Sequence, residues 1–92
     1  MSSKITTQSQ TTSYGDALTL QAGTTVAEFS FLDSGALVAG TVKLTDGAGN
    51  EAEIPIGADQ LYLRNFARGT ADRLEVKGKA GSGTPTLQIV ET

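Results

Sequence analysis

Asp46, Asn50 and Glu51 fall in one glycine-rich stretch, Asp46-Gly47-Ala48-Gly49-Asn50-Glu51. Carboxylate and amide oxygens in a loop are the donors that hold calcium. A helix-loop-helix calcium loop wants Asp or Asn at alternate positions before its glycine, and this spacing departs from it. Asp and Asn beside glycine also form turns, so the stretch reads as a hairpin loop. Glu51 and Glu53 form a second pair, and paired carboxylates do acid–base work in glycosidases. They alternate with Ile54 and Ile56, so they face away from the core, whereas a general acid needs burial. Gly47-Ala48-Gly49 and Gly81-Ser82-Gly83 lack the Gly-Lys-Ser/Thr of a phosphate loop and lead into strands. Serine and threonine are plentiful, but a serine triad needs a base, and the chain has no histidine. It also has no cysteine or tryptophan. Structural zinc has no ligand set here. These residues point to no catalytic group, cofactor or metal, and no enzyme is expected.

The elements around these residues are strands. From Asp16 onward apolar residues recur with period two. The runs are Leu18/Leu20, Phe29/Phe31, Val38/Val42/Leu44, Ala52/Ile54/Ile56, Leu61/Leu63, Leu74/Val76 and Leu87/Ile89. Turn residues divide them at Gln21-Ala22-Gly23, Asp33-Ser34-Gly35, the Asp46 loop, Gly57-Ala58, Arg68-Gly69-Thr70 and Gly81-Ser82-Gly83. Turns this frequent predict an all-β domain of about seven strands: a small antiparallel sandwich, jelly roll or barrel. Pro55 cannot donate to a ladder, which places its strand at a sheet edge. Residues 59–68 also fit a short helix between Asp59 and Gly69, but the period-two reading of Leu61 and Leu63 is preferred. Residues 1–13 are Ser, Thr and Gln with one isoleucine and have no hydrophobic period. They read as a polar N-terminal arm, disordered or laid on a neighbour, ahead of a single domain at 14–92.

The core is thin, with hydrophobic residues at 38% and aromatics at 5% of 92 residues. Disulfides and structural zinc are not available to reinforce it, which leaves oligomerisation, with a trimer favoured. The net charge of −3 and only seven Lys and Arg argue against nucleic acid as a partner. No stretch approaches the ~20 apolar residues of a membrane span, and no apolar signal core follows Lys4. The charge is uneven. Asp16, Glu28, Asp33, Asp46, Glu51, Glu53 and Asp59 lie in the first part, and Arg64, Arg68, Arg73, Lys77 and Lys79 in the last. Such halves can attract across subunits or simply solvate the surface.

Val26, Leu37, Tyr62, Phe66 and Val90 fall on the opposite parity to the expected core. Joined across strands they would make an interface patch, with Tyr and Phe as anchors. Arg64 and Arg68, like Arg73, could pair bidentately with acids on a neighbouring chain. Together with the arginines at 64 and 68, these five residues are the candidate interface.

The C-terminal half carries Ile54-Pro55-Ile56-Gly57-Ala58, Leu61-Tyr62-Leu63-Arg64, Gly69-Thr70-Ala71-Asp72 and Leu87-Gln88-Ile89-Val90. In this order of turn, strand, Gly-Thr turn and last strand it resembles small structural proteins of tailed-phage heads, such as capsid decoration and spike-base proteins. The similarity covers about 40 residues of mostly general β punctuation. An isoleucine separates Pro55 from the glycine, and Glu91-Thr92 stands where the resemblance would put an aromatic end. The resemblance implies a non-enzymatic β subunit on a bacteriophage capsid, commonly trimeric. It would decorate or cement the head by bridging major capsid protein subunits, and would be made in the host cytoplasm and carried on the virion surface. The alternative is a receptor- or carbohydrate-binding β module of a fibre or adhesin, in which an exposed tyrosine would stack on a sugar.

Overall fold

The computed structural model describes residues 3–67 and 74–92. The described residues form nine strands and no helix. In chain order these are β1 (Lys4–Ser9), β2 (Leu18–Thr19), β3 (Val26–Asp33), β4 (Ala36–Leu37), β5 (Gly40–Thr45), β6 (Glu51–Ile56), β7 (Tyr62–Asn65), β8 (Glu75–Ala80) and β9 (Thr86–Glu91). They build two antiparallel sheets packed as a small sandwich. The first sheet has the order β1-β9-β3-β4, with β7 also paired to β3 beside β4. The second has the order β2-β8-β5-β6. Seven of the nine strands are the seven expected runs; β1 and the two-residue β4 are additional.

Alternation along each strand gives one face to the core and one to solvent. Ala27, Phe29 and Phe31 of β3 and Leu87 and Ile89 of β9 point inward from the first sheet. Val42 and Leu44 of β5, Val76 of β8 and Ile56 of β6 meet them from the second. The two sheets pack tightly at Gly40. A Cβ built there would lie 2.5 Å from two ring carbons of Phe31. Gly78 is similar, with Leu87 Cδ2 2.9 Å from its would-be Cβ. Glycine at these two places lets bulky residues of the opposite sheet reach the backbone.

The turns follow their chemistry. Ser34 (φ 51°) and Gly35 (φ 83°) both take positive φ between paired Asp33 and Ala36, the geometry of a two-residue I′ hairpin. At the Asp46 loop, Oδ1 accepts the N–H groups of Ala48 and Asn50, each at 2.9 Å. Pro55 lies in β6, an edge strand, as its missing donor requires.

Two readings of the sequence are corrected. The polar N-terminal stretch is neither a disordered tail nor an arm on a neighbour along its whole length. Residues 4–9 pair with β9 over six residues, from Lys4 with Glu91 to Ser9 with Thr86. Main-chain hydrogen bonds need no hydrophobic period, so β9 can order a polar strand. The chain then leaves the first sheet at buried Gln10 and runs beside β8, where Thr11 accepts from Ala80 N–H and Gly15 donates to Gly78. Residues 1–13 therefore belong to the sandwich, so far as they are described. The second correction is the parity of β7. Tyr62 faces inward, while Leu63 and Leu61 are 53% and 47% exposed. The preferred strand reading of 59–68 holds in its described part, a strand at Tyr62–Asn65 flanked by loop.

Candidate functional site

The seven candidate interface residues divide once the sheets are assembled. On the outer face of the first sheet, register places Ile5 beside Val90, Val90 beside Glu28 and Glu28 beside Leu63. This row crosses four strands, or about 14 Å at the usual strand spacing. Val26, paired with Asn65, lies two residues along β3 on the same face. Leu32, paired with Leu37, lies at the other end of β3. Val26, Leu37 and Val90 thus share a face, and the assembly adds Ile5, Leu32 and Leu63. Ile5 and Leu63 are the most exposed of these, at 66% and 53%. Glu28 is the only charged side chain of the row.

Tyr62 and Phe66 are not on that face. The Tyr62 ring stacks on Phe29 with centroids 5.9 Å apart, and Phe66 packs on the same core. A phenol ring fills the end of the sandwich beside Phe29 better than Leu63 would, which reverses the expected parity of β7. Arg64 follows Tyr62 on the inward parity but reaches solvent. Its Nη1 donates to Tyr62 Oη at 3.2 Å, and its guanidinium lies 5.4 Å from the Phe66 ring centroid. Arg64 therefore folds over its own strand's aromatics. Arg68 and Arg73 lie outside the described residues.

The outer face of the second sheet is charged. Lys43 stands between Glu53 and Lys77, and Thr41 between Pro55 and Lys79. Lys43 Nζ is 3.9 Å from Glu51 Oε2. Tyr14, in the segment that crosses from β1 to β2, lies over this face. Its hydroxyl donates to Glu53 Oε1 at 2.8 Å. Lys43 and Lys79 place their ammonium groups 4.5 and 4.8 Å from its ring centroid, within cation–π range. Burial first, then the hydrogen bond to Glu53, push the phenol up to about 12. This arrangement ties three strands and the crossing segment together. Sequence reading gave Tyr14 no such role, because its partners lie 29 to 65 residues away in the chain.

The oxygen-rich candidates are engaged by the fold. Asp46 Oδ2 accepts from Asn50 Nδ2 at 3.0 Å, and that bond leads the causes that hold the Asp46 carboxyl below its ordinary range. Both carboxylate oxygens thus organise the loop. Among the described residues no three His, Cys, Asp or Glu side chains converge as a metal site. One buried carboxylate escaped notice in the sequence. Glu91 is 1% exposed, and its Oε1 accepts from Gln21 N–H at 2.7 Å and from Thr24 Oγ1 at 3.0 Å. Its work is structural: it pins the turn between β2 and β3 to the end of β9.

The openings in the surface are shallow. One, lined by Thr19, Asp46, Gly47, Gly49 and Glu75, lies at the loop end of the second sheet. Among the described residues it is lined by no aromatic or basic side chain that would orient a ligand. None of the described residues forms a helix long and apolar enough to cross a membrane. Comparison of the chain with protein families, with curated proteins and with solved structures finds no match.

Proposed function

We propose that this chain is a structural β-sandwich that binds a larger protein assembly through the outer face of its first sheet. The assembly that fits its sequence resemblance is the head of a tailed bacteriophage, decorated or cemented by contacts to the major capsid protein. The observation that carries the reading is the row Ile5–Val90–Glu28–Leu63, apolar except at Glu28, extended by Val26, Leu32 and Leu37 on one open sheet face. Apolar residues joined across strands on a solvent face mark a place where water is displaced by a partner. Such binding would be mechanical in effect: a shell would have to break those contacts before it could open, and many copies would act together.

Co-sedimentation with purified tailed-phage heads tests the reading. The wild-type chain should pellet with heads. Leu63→Asp should stay in the supernatant while its thermal midpoint matches the wild type, because Leu63 is exposed and outside the core. A wild-type chain that never pellets with heads overturns the capsid assignment. Equal pelleting of Leu63→Asp overturns the choice of face.

A further inference from the structure

Each sheet has two edges, and a bare edge invites pairing with another chain unless it is blunted. Three of the four edges here are blunted. In the second sheet, β2 has two residues, and β6 carries Pro55 with Glu51 and Glu53. On the far side of the first sheet, the edge is broken between β4, of two residues, and β7, of four. The fourth edge is β1, Lys4-Ile5-Thr6-Thr7-Gln8-Ser9. It has no proline or glycine, and a single charge at its first residue.

The hydrogen-bond parity of β1 follows from its neighbours. Gln10 N–H donates to Pro85 O at 2.9 Å, so this opposed pair is hydrogen-bonded. Stepping by two along the register makes Gln8 with Leu87, Thr6 with Ile89 and Lys4 with Glu91 the bonded pairs as well. The other side of β9 agrees, since Val26 and Thr92 exchange both bonds and even-numbered residues of β9 therefore face β3. Ile5, Thr7 and Ser9 are left to present their N–H and C=O groups outward from the edge.

We infer that β1 is a self-association edge, on which β1 of a second copy pairs antiparallel about a two-fold axis at Thr7. Thr7 then opposes Thr7 of the second copy, and Ile5 opposes its Ser9. These pairs exchange about six main-chain hydrogen bonds. Threonine opposite threonine is a favourable cross-strand pair. The Lys4 side chains fall about 20 Å apart, beyond the ~8 Å over which exposed charges interact at physiological salt. Ile5, Thr7 and Ser9 also lie on the outer parity of the first sheet. Pairing therefore joins the two outer faces into one platform, with both copies of Ile5 near its middle. The inference stands whether or not that platform binds a capsid.

Sedimentation velocity from micromolar to millimolar concentration tests it. The wild type should show a concentration-dependent dimer. Thr7→Pro removes an N–H that faces away from β9, so the fold should persist and dimerisation should weaken about tenfold or more. Thr6→Pro removes an N–H that serves β9 and should lower the thermal midpoint instead. Thr7→Asp opposes two like charges across the axis and should also give a folded monomer. Three outcomes overturn the inference: a wild type that stays monomeric throughout, a trimer, or a dimer as tight in both Thr7 variants as in the wild type. Loss of the dimer in Leu63→Asp with its retention in Thr7→Pro would also overturn it, by placing the contact on the sheet face.

Discussion

Gly40→Ala tests the sheet spacing on which the sandwich depends. The added Cβ would lie 2.5 Å from Phe31 Cδ2 and Cε2 and 2.7 Å from Cγ. Carbon atoms prefer about 3.5–4.0 Å, so the ring or the strand must retreat by about 1 Å. Phe31 has no exposed surface. Overpacking of this kind costs about 1–3 kcal/mol, and three close ring atoms place this case at about 3. Reduced freedom of the unfolded chain returns about 0.4–1 kcal/mol. The net loss is about 2 kcal/mol, or a fall of about 10–15 °C in thermal midpoint for a domain of this size. Urea unfolding supplies the free energy directly. Gly47→Ala is the control, because a Cβ there meets nothing within 4 Å. It should leave stability unchanged or raise it by up to about 1 kcal/mol. Phe31→Leu in the Gly40→Ala background removes part of the collision. The double variant should lose less than the sum of the single losses, by about 1 kcal/mol. A Gly40→Ala midpoint equal to that of the wild type, or strict additivity in the cycle, would refute the close approach of β5 to β3.

Two further predictions follow from buried and bridging groups. Glu91→Ala removes the acceptor that Gln21 N–H and Thr24 Oγ1 share, and should cost about 1–3 kcal/mol in urea unfolding; a neutral result would show that Glu91 does not hold that turn. Tyr14 should titrate near 12 by absorbance at alkaline pH, and Glu53→Gln should bring it down toward the ordinary value of 10.0. Its raised pKa gives a stability contribution fully present below the ordinary value, because both states then hold the proton. The contribution is lost as pH rises toward 12, since the unfolded phenol ionises first. A wild-type stability profile that falls no more steeply in that window than the profile of Tyr14→Phe would contradict the bridge.

Much of the architecture was legible in the chain. Leu87 with Ile89 and Phe29 with Phe31 gave their strands and inward faces, because side chains alternate whatever the sheet order. Asp46 through Asn50 gave a hairpin loop from turn chemistry alone. Pro55 gave an edge strand, because a missing N–H is a covalent fact. Val26, Leu37 and Val90 lie on the outer parity of their strands, although nothing local showed that β3, β4 and β9 would bring them to one face. Ile5 could have been found only as the lone apolar residue of a polar arm.

The remainder depended on tertiary structure. Leu61 and Leu63 alternate as well as Tyr62 and Arg64 do, so periodicity could not choose which side of β7 turned inward. The space beside Phe29 chose the larger ring. Lys4 through Ser9 carries no hydrophobic signal, and its order comes from hydrogen-bonding groups on a β9 that lies more than 70 residues away. Tyr14 and Glu91 acquired partners that local reading does not reach. The sequence by itself determined that the chain would form strands, where they would turn, and that it contains no histidine, cysteine or tryptophan. Only the tertiary structure decided which apolar residues stayed outside and which edge stayed bare, because both depend on what occupies the neighbouring position in space.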